Sequence, residues 1–210
     1  YKISEKFKRK LNKHNLDELR LPSLIAKIAD DNSTVYLGNS MPIRDFDSFI
    51  LQNHKNLNFH ANRGASGIDG IISSAIGYTI GRGSRTICVV GDVSALHDLN
   101  ALGLLRSANV PLTLIIINNN GGGIFNFLSV ENKPYFQEFF NTPTNIKFEW
   151  AAKMFGLEYF SPQTPEELFD CMNNENIKEK PIVIEIFTDK VENSSTHNSF
   201  YRMAKEITDE

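Results

Sequence analysis

Short apolar runs alternate with helix-like stretches along most of the chain. The clearest unit begins at residues 86–90, a run that is apolar on both of its faces, as expected for a parallel strand covered by helices. Leucines at helical spacing follow over residues 94–108, and residues 112–117 form a second apolar run that is rich in β-branched side chains. Strand, helix and strand in this order predict a right-handed βαβ crossover.

The same alternation predicts elements on both sides of this crossover. Residues 66–81 carry isoleucines at helical spacing, and residues 148–155 form a predicted helix that ends at Gly156. The run Thr-Pro-Glu-Glu at 164–167 is typical of a capped helix start. Further short strands are predicted at residues 35–37, 58–60, 157–160 and 182–187. This pattern is typical of the α/β class, with a mainly parallel sheet and helices on both faces.

The pattern divides the chain into three regions. Residues 21–190 are predicted to form the α/β domain, and the polar residues 1–20 predict a linker or a peripheral segment. Residues 191–210 predict a C-terminal tail or helix. The loop predicted at 118–145 is rich in Asn, Gly and Phe, and a loop of that length usually has a function. Because the first residue is Tyr1 and not Met, we expect a processed chain or a piece of a longer one.

Composition and charge narrow the classes of function. A net charge of −3 gives no sign of a nucleic-acid partner, because phosphate binding needs a concentrated basic surface. The two cysteines, Cys88 and Cys171, cannot form a disulfide framework, which indicates a reducing compartment and predicts a cytoplasmic location. No segment has the pattern of a transmembrane helix or a signal peptide. The histidines show no partner pattern and are expected to be structural or exposed.

Polar residues follow two neighbouring predicted strands where these strands end. Gly91 and Asp92 end one strand, and the run 118–123 (Asn-Asn-Asn-Gly-Gly-Gly) ends the next. Asp92 and Asn119 are 27 positions apart, about one crossover, so we expect them to lie close together. Carboxylate, amide and glycine-carbonyl oxygens suit Mg²⁺, and the helix start between Gly91 and Ser94 favours a phosphate. The sequence therefore predicts a metal-bridged diphosphate site. In the alternative interpretation, Asp92 and Ser94 only cap the helix and the Asn/Gly run is only a turn.

This arrangement resembles the cofactor-anchoring domain of thiamine-diphosphate enzymes. Most of that superfamily has a glycine where this chain has Val93. Longer blocks are similar, in order and spacing, to one family within it, the 2-succinyl-5-enolpyruvyl-6-hydroxy-3-cyclohexene-1-carboxylate synthases of menaquinone biosynthesis. The similarity covers about residues 20–190. Its blocks are residues 38–40 with Arg44, residues 62–70, residues 91–96 with 98–102, and residues 118–122 with Ile124, Phe125 and Leu128.

The resemblance implies a role for each matching residue. It assigns Mg²⁺, with Mn²⁺ as a possible substitute, to Asp92, Asn119 and the carbonyl of Gly121. Other residues implied to contact the cofactor are Gly91, Val93, Ser94, Ile68 and Ile124, of which Ile68 supports the bent cofactor. The implied substrate site comprises Ser40, Arg44, Arg63, Phe125 and Leu128, with the arginines clamping carboxylates. The alternatives are that Ile68 is a core residue on a helix and that the arginines form surface salt bridges.

The implied reaction is decarboxylation of 2-oxoglutarate and addition of the resulting succinyl carbanion to isochorismate. Thiamine diphosphate is the electron sink, and the protein supplies orientation and charge. Enzymes of this kind activate the cofactor through a Glu on a pyrimidine-binding domain of the same protein, which we expect from a second subunit of a homo-oligomer. We therefore assign no catalytic residue, and we expect the 210 residues to be inactive alone.

Two alternatives stay open. The first is another carboligase or decarboxylase of the superfamily, such as an acetolactate-synthase-like enzyme, against which Val93 and the Arg44/Arg63 pair argue. The second is a non-catalytic cofactor-binding or interaction module, which the short length favours for this chain in isolation and the same two arginines disfavour for the parent protein. An assay with 2-oxoglutarate and isochorismate, compared with pyruvate, distinguishes the two enzyme interpretations.

Overall fold

Parallel strands form the centre of the fold. The computed structural model describes residues 2–13, 15–50, 55–62, 64–175 and 178–208. The strands among them are β1 (Thr34–Leu37), β2 (Asn58–Ala61), β3 (Thr86–Gly91), β4 (Leu112–Asn118), β5 (Glu158–Phe160) and β6 (Ile182–Phe187). They pair in parallel in the order β2-β1-β3-β4-β6-β5, which confirms the predicted parallel sheet. The chain runs from β1 outward to β2 and then crosses back to β3, so the strand order reverses beside β1.

Helices cover both faces of this sheet, as predicted. The described helices are α1 (Lys2–Leu11), α2 (Leu21–Ile28), α3 (Met41–Phe49), α4 (Ile71–Arg82), α5 (Asp92–His97), α6 (Ala101–Ala108), α7 (Phe148–Phe155), α8 (Pro165–Asn173) and α9 (Lys190–Thr208). One apolar core joins α2, α3 and α8 to the sheet, and a second core joins α4, α6 and α7 to its other face. Within the described residues, no helix is both long and apolar enough to cross a membrane.

Strand β4 shows why its sequence is apolar at nearly every position. Ile115 and Ile117 pack into the core under α2, α3 and α8, whereas Leu114 and Ile116 pack into the opposite core. Successive side chains of a strand point to opposite faces, so a strand covered on both faces needs apolar residues throughout. Full burial of each such side chain contributes roughly 1.5–3 kcal/mol. This double burial fixes the end of β4, and with it the start of the Asn/Gly run.

Two predicted helices have different bounds in the structure. The helix predicted over residues 94–108 is instead two helices, α5 and α6, and α5 ends before Asp98. The carboxylate of Asp98 contacts a third helix. It accepts hydrogen bonds from the backbone N–H and the hydroxyl of Ser73 on α4, both at 2.8 Å. The helix predicted from residue 66 begins only at α4, because Gly70 before it is left-handed, with φ of 65°.

The long loop predicted over residues 118–145 is not structureless. Short 3₁₀ turns occupy Gly123–Phe127 and Ser129–Asn132, and a π-helical turn occupies Gln137–Asn141. The predicted helix ends are observed: α7 ends before Gly156, and the Thr164 hydroxyl accepts a hydrogen bond from the Glu167 N–H at 3.2 Å.

The two ends of the chain pack against each other on one side of the sheet. Helices α1 and α9 share a small core that includes Leu11, Leu19, Phe49 and Phe200. Within residues 1–20, predicted as a linker or a peripheral segment, Lys2–Leu11 form α1, and Leu16, Glu18 and Leu19 are buried. Residues 191–210, predicted as a C-terminal tail or helix, overlap helix α9.

Candidate functional site

A cavity of about 210 Å³ opens at the carboxyl ends of the central strands. It lies beside the point where the strand order reverses, which is where open α/β sheets bind ligands. Its lining includes the ends of β3 and β4, the first residues of α3 and the loop after β4. The lining residues are Glu18, Ser40, Met41, Pro42, Ile68, Gly91, Asp92, Val93, Ser94, Ile117, Asn119, Gly121, Gly122, Gly123, Ile124, Phe125 and Thr142.

Asp92 is held on both sides within the cavity. Its side chain is buried, and its two oxygens accept hydrogen bonds from the backbone N–H groups of Gly121, at 2.7 Å, and Val93, at 2.8 Å. Burial raises the pKa of this carboxyl group, while the two N–H groups act in the opposite direction. The N-cap position of α5 is Gly91 and not Asp92, so the structure disfavours the helix-capping alternative. Asp92 instead connects the end of β3 to the loop after β4.

Asn119 lines the same cavity and carries an unpaired side-chain oxygen. Its Nδ2 donates a hydrogen bond to Glu18 Oε1 at 3.1 Å, but its Oδ1 is buried without a hydrogen-bond partner among the described residues. An acceptor that is desolvated and unpaired costs about 1–3 kcal/mol, so an oxygen of this kind suits a ligand that binds it. Asp92 and Asn119 do lie together, as the crossover spacing predicts.

The glycine loop reaches the cavity because no side chain blocks its path. Gly121 has a φ of +124°, and a Cβ atom there would lie 2.1 Å from the carbonyl oxygen of Asn141. The N–H of Gly122 donates to that same carbonyl at 2.8 Å, and Lys190 Nζ donates to the carbonyl of Asn120 at 2.7 Å. The loop is therefore held on the segment around residue 141.

The buried carboxylate of Glu185, on β6, supports the start of the glycine loop. Glu185 accepts hydrogen bonds from Asn118 Nδ2 at 2.6 Å, the Phe148 N–H at 3.0 Å and the Tyr159 hydroxyl at 2.7 Å. Asn118 Oδ1 in turn accepts from the Asn120 N–H at 3.1 Å. This network connects the end of β4 to β6 and to the start of α7, so the first asparagine of the Asn run is structural.

Met41, Pro42, Thr142 and Glu18 line the cavity although they were not predicted as site residues. Of these four, Glu18 is the charged residue. It belongs to the segment predicted as a linker or peripheral segment, and its sequence neighbourhood carries no motif that signals a site. It is nevertheless 2% exposed and accepts hydrogen bonds at Oε1 from Asn119 and from the Thr188 hydroxyl, the latter at 2.7 Å. Burial, and then the nearby charge of Asp45, raise the pKa of Glu18 to about 7.

The predicted substrate residues are only partly brought together. Ser40 lines the cavity in a strained backbone conformation, with φ of 73°, a feature that concentrates at functional sites. Arg44 is exposed, does not line the cavity, and donates a hydrogen bond to the carbonyl of Ser40. Leu128 is 53% exposed, also outside the cavity lining. Arg63 lies outside the described residues.

The other predicted site residues all line the cavity. Ile68 is half-buried and precedes α4, so it is not the core residue on a helix that the alternative required. The predicted residues that the cavity brings together are Ser40, Ile68, Gly91, Asp92, Val93, Ser94, Asn119, Gly121, Ile124 and Phe125. Asp92, Asn119 and Gly121 offer three oxygen donors, one each from a carboxylate, an amide and a main-chain carbonyl, and this donor set fits Mg²⁺.

An ion pair behind the cavity fixes the helix that carries Ser40. His197 on α9 is fully buried, with Nε2 2.8 Å from Asp45 Oδ1 and Nδ1 2.9 Å from the carbonyl oxygen of Asn193. The carbonyl of Asn193 only accepts, so Nδ1 carries a hydrogen, and Nε2 is hydrogen-bonded to the Asp45 carboxyl group, whose own pKa is raised by burial. Burial alone would lower the pKa of His197, but the hydrogen bond and charge of Asp45 raise it. The ring of Phe127 packs edge-on against His197, with centroids 5.1 Å apart.

Comparison with known proteins gives a consistent result. Residues 46–186 match the family model described as thiamine pyrophosphate enzyme, C-terminal TPP binding domain. A 2-succinyl-5-enolpyruvyl-6-hydroxy-3-cyclohexene-1-carboxylate synthase from Pelodictyon phaeoclathratiforme is 40% identical over 91% of this chain and 32% of its own length. The synthase of the same name from Bacillus velezensis is 37% identical over 96% of this chain and 36% of its own length. The chain thus spans about a third of the curated relatives that it matches, and the similarity to these synthases is confirmed.

A solved structure supports the fold. The thiamine diphosphate-dependent 4-hydroxybenzoylformate decarboxylase of Rhodococcus jostii superposes with a TM-score of 0.67 and 23% sequence identity. The match covers 83% of this chain and 33% of that one.

Proposed function

Because the chain belongs to the family of C-terminal TPP-binding domains of thiamine pyrophosphate enzymes, we propose that its cavity anchors thiamine diphosphate through Mg²⁺. The observation that carries this proposal is the pairing of Asp92 with Asn119 Oδ1. One is a buried carboxylate whose ionised form burial disfavours, and the other is a buried oxygen without a partner among the described residues. A divalent cation would offset both costs at once.

The residues divide the work of holding the cofactor. Asp92, Asn119 and the carbonyl of Gly121 would bind the cation, which in turn holds the diphosphate. Gly91, Val93 and Ser94 would lie against the diphosphate, and Ile68 and Ile124 against the apolar parts of the cofactor. When bound, thiamine diphosphate supplies an electron sink for the charge released when a 2-oxo acid loses carbon dioxide.

We infer that the complete protein decarboxylates 2-oxoglutarate and joins the remaining four-carbon unit to isochorismate. The support is the identity of 37–40% with synthases that carry this name. Both substrates carry two carboxylates, and the exposed guanidinium of Arg44 is available beside Ser40 to bind one of them in bidentate fashion. Arg63, Phe125 and Leu128 are proposed to complete the substrate site.

The proposed reaction also needs an activating group from another domain. The Glu that activates the cofactor is expected on a pyrimidine-binding domain of the same protein, supplied by a second subunit of a homo-oligomer in the cytoplasm. Of the carboxylates at the cavity, Glu18 already accepts two hydrogen bonds and Asp92 is engaged by two backbone N–H groups. We therefore propose that the 210 residues bind and position the cofactor but do not activate it.

A product assay tests the reaction. The complete protein is incubated with thiamine diphosphate, Mg²⁺ and either 2-oxoglutarate with isochorismate or pyruvate alone, and the products are identified by mass spectrometry. We expect the adduct of the four-carbon unit with isochorismate and no condensation product from pyruvate. Omission of Mg²⁺ in the presence of EDTA is the control. Acetolactate from pyruvate, without the isochorismate adduct, would instead indicate the acetolactate-synthase-like alternative.

A further inference from the structure

Glu18 lies against a proposed metal ligand without being one of the three oxygen donors. Its Oε1 accepts the hydrogen bond from Asn119 Nδ2 at 3.1 Å, and the whole residue is 2% exposed. We propose that Glu18 is a positioning residue, which fixes the amide of Asn119 with Oδ1 toward the cation. This inference rests on the proposed function, because it assumes that Asn119 binds the metal.

An asparagine ligand needs such a partner because its side chain has two unlike ends of nearly the same shape. Rotation by half a turn exchanges the oxygen for an NH₂ group, which donates hydrogen bonds and cannot bind a cation. Glu18 Oε1 accepts hydrogen bonds from Asn119 Nδ2 and from the Thr188 hydroxyl, and an oxygen in this accepting position favours the NH₂ end of the amide. Gly123 leaves room for this arrangement, since a Cβ atom there would lie 2.7 Å from Asn119 Nδ2.

Glu18 is itself held from outside the glycine loop. The hydroxyl of Thr188 donates to Glu18 Oε1 at 2.7 Å, and the N–H of Thr188 donates to the carbonyl of Asn118 at 3.1 Å. The buried side chains of Leu16 and Leu19 anchor the segment on either side of Glu18. The orientation of Asn119 is therefore set by the sheet and by the N-terminal segment, and not by the loop alone.

The first experiment compares two substitutions of Glu18 in the complete protein. Titration calorimetry measures the Mg²⁺ dissociation constant with thiamine diphosphate present. Glu18→Leu, which removes the acceptor at similar size, is expected to weaken Mg²⁺ binding about 10–100-fold, the usual effect of losing a group that orients a metal ligand. Glu18→Gln keeps an oxygen that can accept both bonds and is expected to stay within about threefold. If Glu18→Leu does not fold, as judged by thermal melting in EDTA, Glu18→Met takes its place.

The second experiment distinguishes an effect of Glu18 on the orientation of Asn119 from a general loss of structure. The two oxygens of a carboxylate are equivalent, so in the Asn119→Asp background there is no amide to orient. Glu18 then becomes a repulsive neighbour, and the Glu18→Leu substitution is expected to strengthen Mg²⁺ binding in that background. A reversal of sign between the two backgrounds supports the proposal, because a merely structural role for Glu18 would weaken binding in both.

The remaining outcomes identify which claim fails. Equal weakening in both backgrounds overturns the positioning role. Unchanged binding in Glu18→Leu also overturns it, and leaves the proposed function intact provided that Asp92→Ala loses the Mg²⁺-dependent binding. If Asp92→Ala retains that binding as well, the metal site itself is wrong and the positioning role fails with it.

Discussion

The glycine loop lies so close to residue 141 that the addition of a single methyl group should destabilise the protein. Gly121→Ala places a Cβ atom 2.1 Å from the carbonyl oxygen of Asn141 at a backbone φ of +124°. The backbone strain alone costs about 1–3 kcal/mol. The clash adds to this, because the neighbouring atom is main chain and cannot rotate away. We expect the melting temperature to fall by at least about 2–4 °C for each kcal/mol lost.

Two other glycines provide matched controls for the same chemical change. Gly77→Ala lies within helix α4, where the added Cβ meets nothing within 4 Å, and should stabilise by about 0.5–1 kcal/mol. Gly83→Ala has a left-handed φ of +66° but no clash, and should cost only about 1–2 kcal/mol. Differential scanning calorimetry of the complete protein in EDTA measures all three. A Gly121→Ala protein as stable as the Gly83→Ala protein would refute the claim that the loop is clamped.

Three further predictions concern the substrate, the missing domain and pH. Arg44→Lys and Arg63→Lys in the complete enzyme should each lower kcat/KM by a factor equivalent to about 1.5–3 kcal/mol, and unchanged steady-state kinetics would show that they are surface arginines. The 210 residues alone should show no synthase activity and should regain it only when a pyrimidine-binding domain is supplied; turnover by the isolated chain would contradict this. Because the pKa of His197 is higher in the folded than in the unfolded protein, protonation of this residue stabilises the fold. The contribution is complete below the unfolded pKa of about 6.5 and is lost as the pH rises through the folded pKa. The free energy of unfolding of wild type, measured by chemical denaturation, should therefore fall relative to that of His197→Gln as the pH rises above 6.5. The same pH dependence in both proteins would refute the ion pair with Asp45.

The sheet and the pairing of Asp92 with Asn119 were predictable because both follow from local patterns. Strands β3 and β4 are buried on both faces, so their sequences are apolar throughout, and a crossover of known length places their ends side by side. Open α/β sheets bind ligands beyond such ends, so polar residues there are candidate ligand contacts. The position of these residues follows without any contact between distant segments.

Glu18 and the break at Asp98 were not predictable for the opposite reason. Glu18 and Asn119 are 101 positions apart, and the residues before Glu18 are polar enough to suggest a linker. Asp98, where the predicted helix is divided, accepts two hydrogen bonds from Ser73 on another helix. Both features are tertiary contacts between polar groups, and such contacts leave no periodic pattern in the sequence.

The separation of Arg44 from the cavity has a similar origin. The sequence places Arg44 one helical turn after Ser40, which suggests a shared role, and a turn of helix does bring the guanidinium back to the Ser40 carbonyl. Ser40, Met41 and Pro42 line the cavity, however, whereas Arg44 is exposed and does not. The spacing along the helix alone does not tell which of these side chains faces the cavity.

The anchoring of thiamine diphosphate by Asp92 is the central claim, and one titration tests it most directly. Thiamine diphosphate is titrated calorimetrically into the complete protein with Mg²⁺ and with EDTA, for wild type and for Asp92→Ala. Asp92 lies at a strand end and outside both apolar cores, so the variant should keep its far-ultraviolet circular dichroism. We predict Mg²⁺-dependent binding to wild type and none to Asp92→Ala. An unchanged affinity in the folded variant would contradict the account.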